Sequence, residues 1–338
     1  MNAAHDALAG AIEAGVFPAA TVDVGDSSGP MWQDALGISF DSLFDLASLT
    51  KPIATGSIAM RLVGEGRMSL DDLLADHFIE WSGDDRAQVT VRDLLEHASG
   101  LSARLLDAPP SGRREFEHDI CVMPLEYAPR SRSIYSDLGF ILLGFLEADR
   151  GDAPLDAQFA AIVGGITPDL MFVPPPERRA TAARTMALLE DVRRGETLRG
   201  VVHDNYAASL GGVAGHAGLF GTATAVAAFA RVVLRAARGD AQAPHPFTPP
   251  LVRLFTTPSS VTESSRALAW DTMLPSSSCG TKMSPSAFGH VGYTGTSLWI
   301  DPERDRYFVL LTNRANGGGS LEDMRLVRRA FHDALADL

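Results

Sequence analysis

The chain is poor in cysteine, in long apolar runs and in positive charge, and each shortage excludes a class of protein. Only two cysteines, Cys121 and Cys279, occur in 338 residues. They lie far apart and lack metal-type spacing, so neither a disulfide framework nor a zinc site is expected, and both read as small core residues. His203-Asp204 and His216 have no third ligand at a recognisable spacing, so no metal and no cofactor are expected. No apolar run reaches the ~20 residues of a membrane span. The formal net charge of −13 argues against nucleic acid or an anionic membrane as a partner, because both demand a basic surface. The N-terminus, MNAAHDALAGAIEAGVFPAA, has no cationic leader segment followed by an apolar stretch. The expected compartment is therefore the cytoplasm, or the exterior if a leader is missing. No internal repeat is visible, and nothing bears on the oligomeric state.

Lysine is as scarce as cysteine: two, against twenty-seven arginines. One of the two, Lys51, follows Ser48 by three residues in Ser48-Leu49-Thr50-Lys51. Arginine serves as well as lysine on most surfaces but cannot give up its proton, whereas a partly buried lysine can. A neutral amine beside a serine hydroxyl is one way to activate a nucleophile. On a helix, positions i and i+3 share a face, so the two side chains can meet. Pro52 places the helix start, since proline is tolerated in the first turn and costs about 3 kcal/mol further in. Ser48 is thus expected at a helix N-terminus, where backbone N–H groups and the dipole favour an oxyanion.

The rest of the chain divides into strand-bearing ends and a helical middle. Helical spacing over 2–15 precedes an alternating strand at 19–25 and a second near 32–38. From 48 to 64 the pattern is helical. The middle predicts helices at 90–98, at 137–148 (buried on most sides) and at 222–239 with Thr222 as N-cap, among loops rich in Pro, Gly and Arg. Pro174-Pro175-Pro176 is a break, and 210–217 is a glycine-rich loop. Strands at 296–300 and 307–312 flank a turn, and a helix opens on the capping pattern Ser320-Leu321-Glu322-Asp323. About two domains suit this length. The division expected is 1–75 with 281–338 as a discontinuous α/β domain, and 76–280 as a mostly helical one.

Two further motifs join Ser48 and Lys51. Tyr135-Ser136-Asp137 stands just before the buried helix, and His290-Val291-Gly292-Tyr293-Thr294-Gly295-Thr296 leads into a strand. Small residues at such an entry let another chain approach closely. In this order the three motifs resemble those of the serine β-lactamase and penicillin-binding-protein superfamily, in its class C-like, esterase-like branch, whose pattern is S-x-x-K, then Y-S/A-N, then K-T-G or H-x-G. The flanks FDLASLTK, LLEHASGL, YSDLGFILLG, GGVAGHAGLF and GYTGTSLWIDP are similar to that family as well, over nearly the whole chain.

The resemblance implies an α+β fold: an antiparallel sheet flanked by the terminal helices, beside an all-helical second domain. It implies a serine hydrolase working through an acyl-enzyme. Ser48 is the implied nucleophile, with Lys51 and Tyr135 moving its proton. The N–H groups of Ser48 and Tyr293 form the implied oxyanion hole, a device worth roughly 3–4 kcal/mol per donor. Asp137, His290 and Gly292 line the implied substrate site. His97 and His216 receive no role in the chemistry, and His97 reads as a packing residue. Two positions depart from the family. Asp137 stands where the lactamases place Asn, and a carboxylate there favours the ammonium form of Lys51. His290 stands where lactamases and peptidases place Lys, and histidine is mostly neutral at pH 7. Both changes disfavour substrates carrying a carboxylate, so a carboxylesterase acting on small neutral esters is expected ahead of a β-lactamase or a D-amino-acid-specific peptidase or amidase. A catalytically silent ligand-binding relative is the alternative of another class. The expected partner is a small ester or amide substrate.

Overall fold

The structure, a computed structural model, describes residues 1–105 and 108–335. Its centre is a six-stranded antiparallel sheet that interleaves the two chain ends. The order is Pro30–Leu36, Ala20–Gly25, Arg306–Thr312, Ser297–Asp301, Phe288–Val291 and the short Asp271–Thr272. Val22 pairs with Leu310, and Leu298 with both Val309 and His290. The Arg306–Thr312 strand shows why it forms. Phe308 and Leu310 enter one apolar cluster while Tyr307, Val309 and Leu311 enter another, as a period of two requires.

The terminal helices Asn2–Glu13 and Leu321–Ala334 cover one face, burying Leu8, Met324 and Phe331 against the sheet. Helix Ala223–Ala237 packs against the sheet's central strands through Val226, Ala230 and Val233 on the other side. It lies within the stretch read as the helical domain, yet it belongs to the sheet by packing. The expected fold class is found, with one refinement. The middle of the chain also carries strands: Leu170–Phe172 and Leu219–Gly221 join Phe44–Asp45 in a small sheet, and Arg184–Met186 pairs with Thr197–Arg199. Strands of two or three residues are too short to show a period. No helix among the described residues is long and apolar enough to cross a membrane.

The caps anticipated from composition are present. Ser320 and Asp323 form a reciprocal capping box, and the Thr222 hydroxyl accepts from the Ala225 N–H; Ser136, not among the expected caps, accepts likewise from the Gly139 N–H. The segment at Ser48 differs from a plain helix start. A 3-10 turn at Ala47–Leu49 runs into a π turn at Lys51–Thr55, and regular α-helix begins at Gly56. Pro52 has no N–H, so the Ser48 carbonyl lacks its i+4 donor and the turns loosen. Ala47 sits at φ 47°, a left-handed conformation uncommon for a residue with a Cβ. The Asp45 carboxylate accepts from the Ala47 N–H at 2.8 Å and the His203 N–H at 2.7 Å, tying the bend before Ser48 to a loop from the middle of the chain.

Candidate active site

Ser48 and Lys51, from one turn, come together with Tyr135 from the segment before the buried helix at Asp137. Lys51 Nζ lies 3.2 Å from Ser48 Oγ, and the Tyr135 hydroxyl lies 2.6 Å from the same atom. Lys51 is fully buried and donates also to Asp137 Oδ1 at 2.8 Å and the His216 carbonyl at 3.0 Å. An ammonium has three donors and no acceptor, so these three partners saturate it. Burial works against that charge, but Asp137 and Tyr135 outweigh it and raise the Lys51 pKa above the ordinary lysine value. The neutral amine inferred from lysine's scarcity is therefore not the resting form. Burial also raises the Tyr135 pKa, against the opposing pull of Lys51, so the phenol keeps its proton at rest.

Around this trio lies a charge network that the motifs do not reveal. Arg104 Nη1 bridges Asp137 Oδ2 at 3.1 Å and Asp204 Oδ2 at 3.0 Å, while its Nη2 reaches Asn205 Oδ1 at 2.6 Å. His216 Nε2 lies 2.8 Å from Asp204 Oδ1. Burial opposes ionisation of Asp204, but His216 and Arg104 hold its carboxyl far below the usual range. Asp137 is thus neutralised from two sides, and the repulsion of substrate carboxylates expected of it is largely spent within the protein. His97 serves Tyr135 from behind. Its Nδ1 accepts from the Ser136 N–H at 3.0 Å, and its ring lies 4.7 Å from the Tyr135 ring.

Facing Ser48 is the segment from His290 to Thr296, of which Tyr293 lines the cavity while His290 and Gly292, expected in the substrate site, do not. Thr294 Oγ1 donates to the Asp45 carbonyl at 2.7 Å and Thr296 Oγ1 to the Leu46 carbonyl at 2.9 Å, stitching this loop to the strand that leads to Ser48. Gly292 fits because a Cβ there would stand 2.1 Å from Thr296 Oγ1 and 2.5 Å from the Leu46 oxygen. Its small size thus makes room for these neighbours, a packing reason besides the approach of a substrate. Among the described residues, neither the Ser48 N–H nor the Tyr293 N–H has an acceptor. Two unpaired donors, one at Ser48 and one in the facing loop, are the kind of groups that an oxyanion hole requires. His290 is 2% exposed, and its Nδ1 donates to the Val291 carbonyl at 2.9 Å, leaving Nε2 as a lone-pair acceptor with no partner. Burial, then Arg266, pushes its pKa well down, so it is neutral and cannot donate from Nε2.

Ser48, Tyr135, Asp137 and Tyr293 line one cavity of about 270 Å³, whose wall also includes Ala47, Arg104, Glu190, His203, Asp204 and His216. Arg266 approaches from the far side of Tyr135, its guanidinium 5.3 Å from that ring and 3.9 Å from Asp271. No sequence signal separates Arg104 or Arg266 from the other arginines. Among the described residues, no three His, Cys, Asp or Glu side chains are arranged to hold a metal ion.

Comparison with known proteins bears on the family and the fold. The sequence profile described as Beta-lactamase matches residues 7–332. A protein of Escherichia coli (strain K12), named "Putative D-alanyl-D-alanine carboxypeptidase", is 33% identical over 306 residues, covering 81% of this chain and 69% of that protein. A penicillin-binding protein homologue from Caulobacter crescentus superposes with a TM-score of 0.78 at 21% identity, over 100% of this chain and 97% of the other. EstCE1, described as a hydrolase with promiscuous acyltransferase activity, superposes with a TM-score of 0.76 at 17% identity, over 99% and 98%.

Proposed function

The chain belongs to the beta-lactamase family, and on that premise we propose that it is a serine hydrolase acting through an acyl-enzyme on Ser48, with small neutral esters as substrates. The observation that carries the reading is the position of Ser48 Oγ between Lys51 Nζ and the Tyr135 hydroxyl, with two free N–H donors alongside. Ser48 Oγ attacks the ester carbonyl carbon and its proton passes to Tyr135 in the minor phenolate form, which the Lys51 ammonium stabilises. The carbonyl electron pair moves onto oxygen and is met by the Ser48 and Tyr293 N–H groups. Tyr135 then gives the proton to the leaving alcohol, and water repeats the sequence on the acyl-enzyme.

The preference for neutral substrates rests on the cavity's charges. Among the described residues lining it, Asp137, Glu190 and Asp204 face Arg104, whose guanidinium is already bonded to two of them, and His216, which is already bonded to Asp204. An incoming carboxylate finds no uncommitted partner there. The observation favouring a peptidase, amidase or lactamase instead is Arg266, a cation near Tyr135 and His290 with only a distant carboxylate partner. The name of the E. coli relative points the same way. Measuring kcat/KM for p-nitrophenyl acetate, nitrocefin and a D-Ala-D-Ala peptide on one preparation decides between them. The ester is expected to lead by at least about tenfold, the scale of one charge mismatch. Equal or faster turnover of the peptide or the lactam transfers the assignment to that class. Failure of a fluorophosphonate to label Ser48 leaves a silent ligand-binding relative.

A further inference from the structure

Arg328 is a buried cation without a matching anion among the described residues. It projects from the C-terminal helix Leu321–Ala334 and is 5% exposed. Leaving a buried charge unpaired is costly. Its Nη2 donates to two carbonyls instead, Gly292 O at 2.9 Å and Thr296 O at 2.8 Å, while Nε finds no acceptor. The next turn of the helix offers only His332, buried and neutral, its pKa pushed down to about 3 by burial and by Arg328 itself.

The choice of carbonyl matters. Gly292 C=O and Tyr293 N–H are the two ends of one planar peptide group. A cation on the oxygen draws electron density along the conjugated unit and makes the N–H a stronger donor, as hydrogen bonds in a chain polarise one another. Arg314 grips the same loop differently, donating to the Tyr293 carbonyl at 3.0 and 2.6 Å. That carbonyl shares its peptide with the Thr294 N–H, so the charge of Arg314 acts on a different donor.

Resting on the reading of Tyr293 as an oxyanion donor, we infer that Arg328 is a positioning residue that polarises the Gly292–Tyr293 peptide and strengthens the Tyr293 N–H toward the developing oxyanion. The charge is placed where it acts on the transition state through one peptide group, out of reach of substrate and solvent. A neutral side chain able to bond the same carbonyls would hold the helix to the loop but would not supply this field.

The chain has five tyrosines, so selective ¹⁵N-tyrosine labelling gives five amide resonances, with Tyr293 assigned by Tyr293→Phe. In Arg328→Gln the Tyr293 nitrogen is expected to move upfield while the other four stay in place. kcat for p-nitrophenyl acetate should fall about tenfold, less than the loss of a whole oxyanion donor, with KM nearly unchanged. Arg328→Lys, which keeps the charge on a single ammonium, should recover part of both effects. A Tyr293 resonance and a kcat that both match the parent in Arg328→Gln overturn the inference. Should that variant not fold, the neutral Arg328→Met carries the test: an upfield Tyr293 resonance with a lowered kcat supports the inference and parental values sink it. Fluorophosphonate labelling of the parent separates the two layers. A labelled Ser48 with an unmoved Tyr293 resonance removes only the role of Arg328, whereas an unlabelled Ser48 removes the hydrolase reading and the purpose of Arg328 with it.

Discussion

The two walls flanking Ser48 handle positive charge in opposite ways. On the Lys51 side every cation meets a carboxylate: Lys51 and Arg104 share Asp137, and Arg104 also takes Asp204. On the Tyr293 side the cations Arg314 and Arg328 have no carboxylate partner among the described residues and donate to carbonyl oxygens, Arg314 lying also over the Tyr293 ring at 4.5 Å. In the proposed mechanism the first wall moves a proton, and its matched charges hold Lys51 and Tyr135 in definite protonation states. The second is suited to negative charge that appears only during reaction, since an unmatched cation has its field free for the oxyanion. Balance on one side and imbalance on the other make the site asymmetric before any substrate arrives.

The largest effect should come from the atom between the walls. Ser48→Ala is expected to lower p-nitrophenyl ester turnover by roughly 10⁴-fold or more, with circular dichroism unchanged. Substantial residual activity would mean that neither wall serves Ser48. Lys51→Arg is the next largest, and it tests the balanced wall directly. The charge stays, but a planar guanidinium cannot reach Ser48 Oγ, Asp137 and the His216 carbonyl as Nζ does. kcat should drop by at least about 10²-fold, the low end for a lost proton-transfer group. Near-parental kcat would reduce Lys51 to a fixed charge.

Asp137→Asn should have a smaller effect on rate, about tenfold, but a diagnostic one on pH. Both Lys51 and Tyr135 carry raised pKa values in which Asp137 takes part. The reactive phenolate is therefore a minor form at neutral pH, and kcat/KM should climb with pH toward and beyond the ordinary tyrosine value. Removing the carboxylate takes away one cause of both upward shifts, so the ascending limb should move to lower pH. A limb that stays in place or moves to higher pH contradicts the balanced-charge picture of that wall. The smallest effect is expected from metal removal. Dialysis against EDTA should leave the rate unchanged and elemental analysis should find no stoichiometric zinc; a rate lost to EDTA and restored by zinc would put the positive charge of the site on a metal and dissolve the contrast between walls.

Much of this architecture is legible in the sequence where the signal is local. The terminal helices, the strands near 20–25 and 306–312, and the Ser320 and Thr222 caps follow from periodicity and from side chains that bond their own neighbourhood. The short strands of the middle are not legible, because two or three residues fit any pattern. In the sequence Asp45 is one more acidic residue. Its work, holding Ala47 in a left-handed bend and gripping the His203 N–H, depends on a loop 158 residues away.

Sequence alone determined that a serine and a rare lysine stand three apart at a proline-marked helix start, and that a tyrosine and a glycine-rich strand entry follow in a recognisable order. Covalent spacing, propensity and capping act over a few residues and are written into adjacent letters. Tertiary structure alone decided the protonation of Lys51, the neutrality of His290 and which of twenty-seven arginines matter. Those depend on burial and on charges within a few ångströms through space. Arg104, Arg266, Arg314 and Arg328 look alike in the sequence, and they differ only in the carboxylates and carbonyls that the fold brings to them.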